Sequence, residues 1–186
     1  MKLQKIEKTY HGKYLKYYDL TYENKAGKEK HYEIVSRHEI SDVSDLGNHV
    51  SGVSIVATYK GKLLLLKEFR MGVGKEIYNL CAGMIEPGET LEECIRRELF
   101  EETGLKSVKI LDVLEPSYAA VAISDVLTQI AFVEVDGEIS TANQSANEQI
   151  EANFYTREQV QELLKTERFS SRAQIAAYFF TRGAIG

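Results

Sequence analysis

Glutamates on one predicted helix are the residues of this chain whose spacing suggests chemistry. When residues 90–103 are set on a helical wheel of 100° per residue, Glu98 and Glu102 fall in the middle of the apolar stripe. That stripe is formed by Leu91, Cys94, Ile95 and Leu99. Because burying an isolated carboxylate is costly, such groups bind a cation, pair with a base or line a wet cleft.

Arginines of the same helix are the alternative partners for these carboxylates. Arg96 and Arg97 project from other sides of the wheel. Arg97 lies four residues from both Glu93 and Glu101, which favours pairing with those two side chains. The remaining hard oxygen donors suit Mg²⁺, with Mn²⁺ as the alternative, better than Zn²⁺. The sequence therefore predicts a metal site on this helix.

The segment that leads into the helix contains two glycines and a proline. Residues 81–89, Cys-Ala-Gly-Met-Ile-Glu-Pro-Gly-Glu, are typical of a strand–loop–helix junction. Backbone groups at such a junction can meet a phosphate or a metal ion. The glycines alone are weak evidence for that role, because tight turns use glycine for steric reasons.

Capping patterns and apolar periodicity predict the elements that position these residues. Helices are predicted after the capping boxes Thr90 with Glu93, Thr156 with Gln159, and Ser171 with Gln174, and the first helix is predicted to end at Gly104. Strands are predicted as a hairpin over residues 13–37, a second hairpin of residues 53–57 and 63–66, and single strands at 108–114 and 126–135. Because strands and helices are interspersed, we expect an α/β (α+β) fold with a mixed β-sheet between helices.

Length and charge limit the classes of function. The 186 residues suffice for one well-buried domain. The net charge of −5 argues against a broad electrostatic grip on nucleic acid or an anionic membrane. Seven glutamates and two arginines between residues 86 and 102 account for this whole excess, so the acidity is local to the predicted metal site.

The remaining composition indicates a cytoplasmic protein. Cys81 and Cys94 lie in apolar sequence and are predicted to be reduced and buried. No apolar run approaches a membrane-spanning length, and the first residues do not resemble a signal peptide. We therefore expect neither a nucleic-acid nor a membrane partner.

A family signature covers the same helix and the loop before it. Gly83, Glu89 and the run Arg97-Glu98-Leu99-Phe100-Glu101-Glu102-Thr103-Gly104-Leu105 match every fixed position of the Nudix box, so this chain resembles a Nudix hydrolase. The resemblance implies metal-dependent hydrolysis of a nucleoside diphosphate linked to another group. It implies Glu98 and Glu102 as metal ligands, Glu101 as a direct or water-mediated one, and the carbonyl of Ala82 as a further ligand. Glu89 would assist the metal shell, and Arg97 would orient the glutamates.

Outside the box, residues 67–70 and 79–83 are similar to strands of the ADP-ribose pyrophosphatase branch. This resemblance implies that Arg70 contacts the substrate, whereas a strand-end salt bridge is the structural alternative. It also implies that Glu148, in the run Asn147-Glu148-Gln149-Ile150, is the general base.

The first 48 residues resemble the N-terminal extension of that branch, ahead of a Nudix domain at residues 49–186. The resemblance implies a homodimer formed through this β-hairpin extension. Its tyrosines, Tyr18 among them, would stack on a nucleobase for about 1–3 kcal/mol or simply pack the sheet. Asp125 keeps an acidic end on the loop after residue 114 and is a further candidate for substrate contact.

Two departures from the branch keep the substrate open. Residues 115–120 replace the usual Ser-Pro-Gly-type loop, and the chain has no tryptophan. The leading expectation is hydrolysis of a nucleoside diphosphate sugar, ADP-ribose or another such as GDP-mannose, to a nucleoside monophosphate and a sugar phosphate. The alternatives are a house-cleaning nucleoside triphosphate pyrophosphohydrolase and a Nudix-fold nucleotide-sugar sensor without catalysis.

Overall fold

The computed structural model describes residues 1–145, 147 and 149–186. The strands are β1 Lys2–His11, β2 Lys16–Glu23, β3 Glu29–Ser36, β4 Val50–Tyr59, β5 Lys62–Arg70, β6 Lys75–Asn79, β7 Cys81–Met84, β8 Ser107–Val113, β9 Ser117–Tyr118, β10 Leu127–Asp136 and β11 Ile150–Tyr155. The helices are α1 Leu91–Thr103, α2 Arg157–Thr166 and α3 Ser171–Thr181, with a short 3₁₀ turn at Val43–Asp45.

The chain divides into two compact units. The first unit comprises Met1–Ser51 and Glu115–Gln129, and the main unit comprises Gly52–Leu114 and Ile130–Gly186. In the part of the chain that the structure describes, no helix is both long and apolar enough to cross a membrane.

The first unit is built on an antiparallel sheet in the order β1-β2-β3. The predicted hairpin is confirmed, since β2 pairs with β3 along its whole length. Its core consists of Tyr18, Leu20, Ile34 and Ile40. Strand β1 is an addition to the prediction: most of its side chains are exposed on both faces, so no alternation of apolar and polar residues marks it as a strand.

The main unit contains a sheet in the order β11-β5-β4-β10-β8, with β6 beside β5 and β7 beside β4. The second predicted hairpin is confirmed as β4 and β5, joined by Lys60 and Gly61 with φ of 47° and 73°. Positive φ at both turn residues is the geometry that matches the twist of a two-residue hairpin.

Helices cover both faces of this sheet, as the α/β expectation requires. Side chains alternate along a strand, so neighbouring residues of β4 and β5 enter different cores. One core joins Val53, Ile55, Ala57, Leu64 and Leu66 to Cys94, Ile95 and Leu99 of α1. The other joins Val56, Leu63 and Leu65 to Val160 of α2 and to Ala173, Ala177 and Phe180 of α3.

The ends of the helices follow the predicted caps with one exception. Thr90 and Thr156 are N-caps with complete capping boxes, and Gly104 ends α1 in the left-handed conformation at φ 75°. The prediction for α3 is wrong by one residue, because Ser170 rather than Ser171 accepts the hydrogen bond, from the Ala173 amide. Two adjacent serines offer the same capping chemistry, and Ser170 is the one with extended backbone angles.

Gly52 in β4 is required by a close approach of two strands. A Cβ on Gly52 would lie 2.2 Å from the carbonyl oxygen of Gly83, which belongs to the paired strand β7. Because both groups are backbone in a sheet, neither can move aside without shifting β7.

Replacing Gly52 with alanine is therefore expected to destabilise the protein by about 1–3 kcal/mol, the usual cost of overpacking. The melting temperature measured by calorimetry should fall by several degrees. Gly72→Ala is the matched control, because a Cβ there meets no atom within 4 Å and its φ is ordinary. Equal melting temperatures for the two variants would contradict the steric argument.

Candidate active site

The buried face of α1 carries two carboxylates among its apolar side chains. Glu98 and Glu102 are 9% and 8% exposed, on the same face as Cys94, Ile95 and Leu99. The helical wheel predicts this burial. Both carboxylates point toward the sheet side of the helix, where β7 forms the opposite wall.

Strand β7 makes room for these carboxylates. The Ala82 amide donates a hydrogen bond to Glu102 Oε2 at 3.3 Å. A Cβ on Gly83 would lie 1.7 Å from Glu98 Oε1, so only glycine allows the carboxylate to lie against the strand. At the predicted strand–loop–helix junction, Gly83 is therefore required by the Glu98 side chain of the following helix.

Arg97 connects three glutamates of the Nudix-box pattern. Its guanidinium donates to both carboxylate oxygens of Glu89 at 2.8 and 2.9 Å, to Glu98 at 2.7 Å and to Glu101 at 3.2 Å. It also donates to the Met84 carbonyl at 2.9 Å. This arrangement brings α1, β7 and the loop between them together around one cation.

The expected pairing of Arg97 is thereby corrected. The pair with Glu101 is present, but Glu93 instead completes the capping box with Thr90. The expectation that Arg97 points away from Glu98 is wrong, because its long side chain bends back along the helix to the adjacent residue. A helical wheel gives the direction of Cβ and not the reach of a guanidinium.

Burial dominates the electrostatics of Glu102. It raises the pKa of the Glu102 carboxyl to about 8, a hydrogen bond from the Cys81 thiol opposes the shift, and the charges of Glu98 and Glu68 add to it. Burial also raises the pKa of Glu98, against the opposing hydrogen bond from Arg97. Both groups are therefore costly to ionise in the absence of a cation.

Glu89 behaves in the opposite way. Hydrogen bonds from Arg97 hold the pKa of its carboxyl down at about 2, against a smaller effect of burial. The same hydrogen bonds raise the pKa of the Arg97 guanidinium. Glu89 and Arg97 are thus a permanently ionised pair beside two carboxyl groups that resist ionisation.

The two cysteines are free and buried, as predicted.

The donor set fits a hard divalent cation. The ionised forms of Glu98 and Glu102 lack full compensation, and a cation would supply it. Among the described residues, no three His, Cys, Asp or Glu side chains already converge as a finished metal site. Glu98 and Glu101 are turned toward Arg97, so coordination would require their carboxylates to rotate from the guanidinium.

Arg70 lies at the end of β5 with 57% of its side chain exposed. Its Nη1 is 3.5 Å from Oε1 of Glu68, a buried glutamate that the sequence reasoning missed. A signal for it exists, since Glu68 follows Leu64 and Leu66 at the two-residue spacing of buried strand positions. A strand-end ion pair is therefore present at Arg70, and its exposed guanidinium remains accessible.

Glu148 lies outside the described residues. The loop that precedes it is tied to the C-terminal end of α1: the Ser140 amide donates to the Thr103 carbonyl at 2.8 Å, and the Gln144 side chain to the Glu102 carbonyl at 2.7 Å. On the other side, the Phe69 amide donates to the Gln149 carbonyl at 3.1 Å. The described neighbours of Glu148 thus contact the ends of α1 and β5.

Tyr18 and Asp125 belong to the first unit. Tyr18 is 1% exposed and accepts a hydrogen bond from the Ile40 amide at 2.9 Å, which fits the packing interpretation of this tyrosine. Asp125 lines a pocket of about 260 Å³ together with Tyr22, Tyr32 and Tyr118. Its Oδ1 is buried and has no hydrogen-bond partner within the described residues.

Comparison with known proteins gives one family. A family model described as the NUDIX domain matches residues 48–178. ADP-sugar pyrophosphatase of Mus musculus is 30% identical over 135 residues, which cover 68% of this chain and 58% of that protein. ADP-ribose pyrophosphatase of Bacillus subtilis (strain 168) is 32% identical over 105 residues, which cover 56% of this chain and 50% of that protein. The chain thus spans about half the length of the curated relatives it matches.

A solved structure shows the same fold over the whole chain. The crystal structure of an ADP compounds hydrolase superposes with a TM-score of 0.71 and 19% sequence identity. The superposition covers 98% of this chain and 94% of that one.

The raised pKa of Glu102 predicts a pH dependence of stability without metal. Above pH 4.5 the unfolded chain releases this proton, whereas the folded protein keeps it up to about pH 8. Stability should therefore fall as the pH rises through this window, by roughly 3–5 kcal/mol at ~1.4 kcal/mol per pKa unit. Denaturant titrations in EDTA between pH 4.5 and 8 measure the effect.

Glu102→Gln removes the titrating group and should remove most of this slope. Glu92→Gln, at an exposed position of the same helix, should keep it. A wild-type slope that persists in Glu102→Gln would assign the pH dependence to another group.

Proposed function

The chain belongs to the NUDIX domain family, and on this premise we propose that it hydrolyses the pyrophosphate bond of a nucleoside diphosphate sugar. The products would be a nucleoside monophosphate and a sugar phosphate. ADP-ribose is the first candidate substrate, because two relatives are named as ADP-sugar and ADP-ribose pyrophosphatases.

One observation carries this proposal: α1 buries two carboxylates against a strand that only glycine permits to come so close. Arg97 compensates Glu98, but among the described residues no cation pairs with Glu102, and burying such a carboxylate adds no stability, so the arrangement calls for a chemical reason. Holding a cation beside a diphosphate is such a reason, since the cation compensates both the carboxylates and the substrate.

Glu98, Glu102 and Glu101, with the Ala82 carbonyl, are the proposed ligands of Mg²⁺, with Mn²⁺ as the alternative. When bound, the cation neutralises the diphosphate, polarises phosphorus and lowers the pKa of a coordinated water. The Glu89–Arg97 pair joins the loop before α1 to the helix. Arg97 would thereby orient the glutamates, whose carboxylates turn either to the guanidinium or to the cation.

Arg70 is the proposed substrate contact of the main unit. Its guanidinium is exposed at the end of β5, and a planar fork of N–H donors matches phosphate oxygens. Arg70 would hold the diphosphate while the carboxylates of α1 hold the cation.

Glu148 is the proposed general base. The support is the attachment of its described neighbours: Gln144 is bonded to the carbonyl of Glu102, and Gln149 to the amide of Phe69. A carboxylate on a segment fastened at these two points would accept the proton of the attacking water.

The first unit is proposed to add a nucleobase contact and a homodimer interface. Asp125 offers a buried oxygen without a partner among the described residues, in a pocket walled by tyrosines. Tyr10, Tyr14 and Tyr17 are exposed on the N-terminal segment, where apolar aromatic surface favours association.

Incubation with Mg²⁺ and a panel of ADP-ribose, GDP-mannose and dGTP, with products separated by chromatography, tests the reaction. We expect cleavage of a sugar nucleotide to a monophosphate and a sugar phosphate. Glu102→Gln should lower turnover by at least about 10²-fold, since ion stabilisation contributes several kcal/mol. Circular dichroism serves as the folding control. Faster hydrolysis of dGTP would favour the triphosphate alternative, and binding without turnover would favour a sensor.

Glu148→Gln should lower turnover by roughly 10²-fold or more at saturating Mg²⁺, because a positioned base contributes about 10²–10⁴-fold. Glu138→Gln, an exposed glutamate of the same loop, is the matched control and should leave turnover unchanged. Wild-type turnover in Glu148→Gln would exclude Glu148 as the base.

A further inference from the structure

Glu68 is a buried carboxylate that the proposed reaction does not use. It is 6% exposed near the end of β5, where this strand pairs with both β6 and β11. It continues the row of Leu64 and Leu66, and the next residue of that row is Arg70, so both charged side chains emerge on the face covered by α1. The negative charge of Glu68 also reaches Glu102.

A directional chain of hydrogen bonds leads to this carboxylate. An ionised glutamate only accepts, so the amide nitrogen of Asn79 faces Glu68 Oε1, at 2.6 Å. The amide oxygen of Asn79 then faces Ser170, whose hydroxyl donates to it at 2.6 Å. The Ser170 oxygen in turn accepts from the Ala173 amide as the N-cap of α3. The hydrogen bonds of this chain therefore all run in one direction, from the Ala173 amide to Glu68.

Backbone hydrogen bonds hold Ser170 and the residue before Asn79 in place. The Tyr78 amide donates to the Arg168 carbonyl at 2.7 Å, and the Ser170 amide to the Tyr78 carbonyl at 3.0 Å. Tyr78, the residue before Asn79, is therefore bonded through both its amide and its carbonyl to the segment before α3. Asn79 thus holds the oxygen of Glu68, Oε1, that lies 3.5 Å from Arg70 Nη1.

The charge on Glu68 is not needed by Asn79. A glutamine would present the same oxygen to the Asn79 amide without the cost of a buried charge. The charge instead pairs with Arg70, whose Nη1 lies 3.5 Å from the same Oε1. Because the buried Glu68 carboxylate stays in place, it limits the directions in which the exposed side chain of Arg70 can extend.

We propose that Glu68 is a positioning residue for Arg70, and that the chain from Ser170 through Asn79 to Glu68 preorganises the guanidinium for the diphosphate of the substrate. The inference rests on the proposed function for the identity of the anion. Preorganisation of this kind strengthens binding because the arginine loses less conformational freedom when the anion arrives.

Binding of ADP in the presence of Mg²⁺, measured by isothermal titration calorimetry, tests the proposal without requiring turnover. Glu68→Gln should weaken ADP binding about two- to five-fold, the range of a partly exposed ion pair, with little change in melting temperature. Asn79→Asp should weaken binding further and lower the melting temperature, because two carboxylates then face each other in a buried position. Tighter ADP binding by Glu68→Gln would overturn the proposal, since Glu68 would then compete with the anion.

The double variant Glu68→Gln/Asn79→Asp separates positioning from stability. Its hydrogen bonds are again complete, because the carboxylate introduced at position 79 accepts from the Ser170 hydroxyl and from the amide introduced at position 68. The melting temperature should therefore recover toward the wild-type value. Position 68 remains neutral, so ADP binding should stay as weak as in Glu68→Gln. Recovery of binding together with the melting temperature would reduce Glu68 to a structural role.

A cycle with Arg70→Ala completes the test. If Glu68 acts through Arg70, then Glu68→Gln should cause no further loss of ADP binding in the Arg70→Ala background. Additive losses would overturn the proposal. Glu134→Gln is the matched control, because Glu134 pairs with Lys109 on the neighbouring strand and should leave binding unchanged.

The outcomes also separate this inference from the proposed function. Wild-type protein that binds ADP but cleaves no sugar nucleotide would contradict the function, while the variants still decide the role of Glu68. Wild-type protein that binds no ADP would overturn the inference itself, since Arg70 would have no diphosphate to hold.

Discussion

The guanidinium of Arg97 is shared by three carboxylates, and helix α1 depends on that sharing. Glu89, Glu98 and Glu101 all lie within 3.2 Å of its nitrogens. Without this cation, Glu98 would be an uncompensated charge at a buried position, which costs several kcal/mol. One positive charge against three negative ones still leaves an excess, which a divalent ion would balance.

Sterics set the second constraint, and they act through two glycines on the neighbouring strands β4 and β7. Gly83 has no side chain and so leaves room for the Glu98 carboxylate, and Gly52 has none and so leaves room for the carbonyl of Gly83. The Glu98 carboxylate therefore packs directly on the backbone of β7, and β7 lies close beside the backbone of β4. The electrostatic arrangement around Arg97 exists only because this stack brings the strand close to the helix.

The sequence predicts most of the framework, because the relevant signals are local. Capping boxes and alternating strands depend on residues a few positions apart, and the helical wheel correctly predicts that Glu98 and Glu102 are buried. Strand β11 escapes prediction because Ala152 alone of its six residues is buried, so no alternation of apolar and polar residues marks it. The reach of Arg97 to Glu98 and the chain through Glu68 and Asn79 depend on side-chain conformation and on contacts between distant segments, which periodicity does not encode.

The loop over residues 140–144 also closes the end of α1. The Ser140 amide and the side chains of Asn143 and Gln144 donate to the carbonyls of Thr103, Phe100 and Glu102. The carbonyls of Glu102 and Thr103 are among the acceptors that a helix leaves free at its C-terminus, whereas that of Phe100 also accepts from the Gly104 amide. Grafting a loop from another protein at this place would therefore also remove the cap of α1. A successful graft would have to supply donors of its own for that turn.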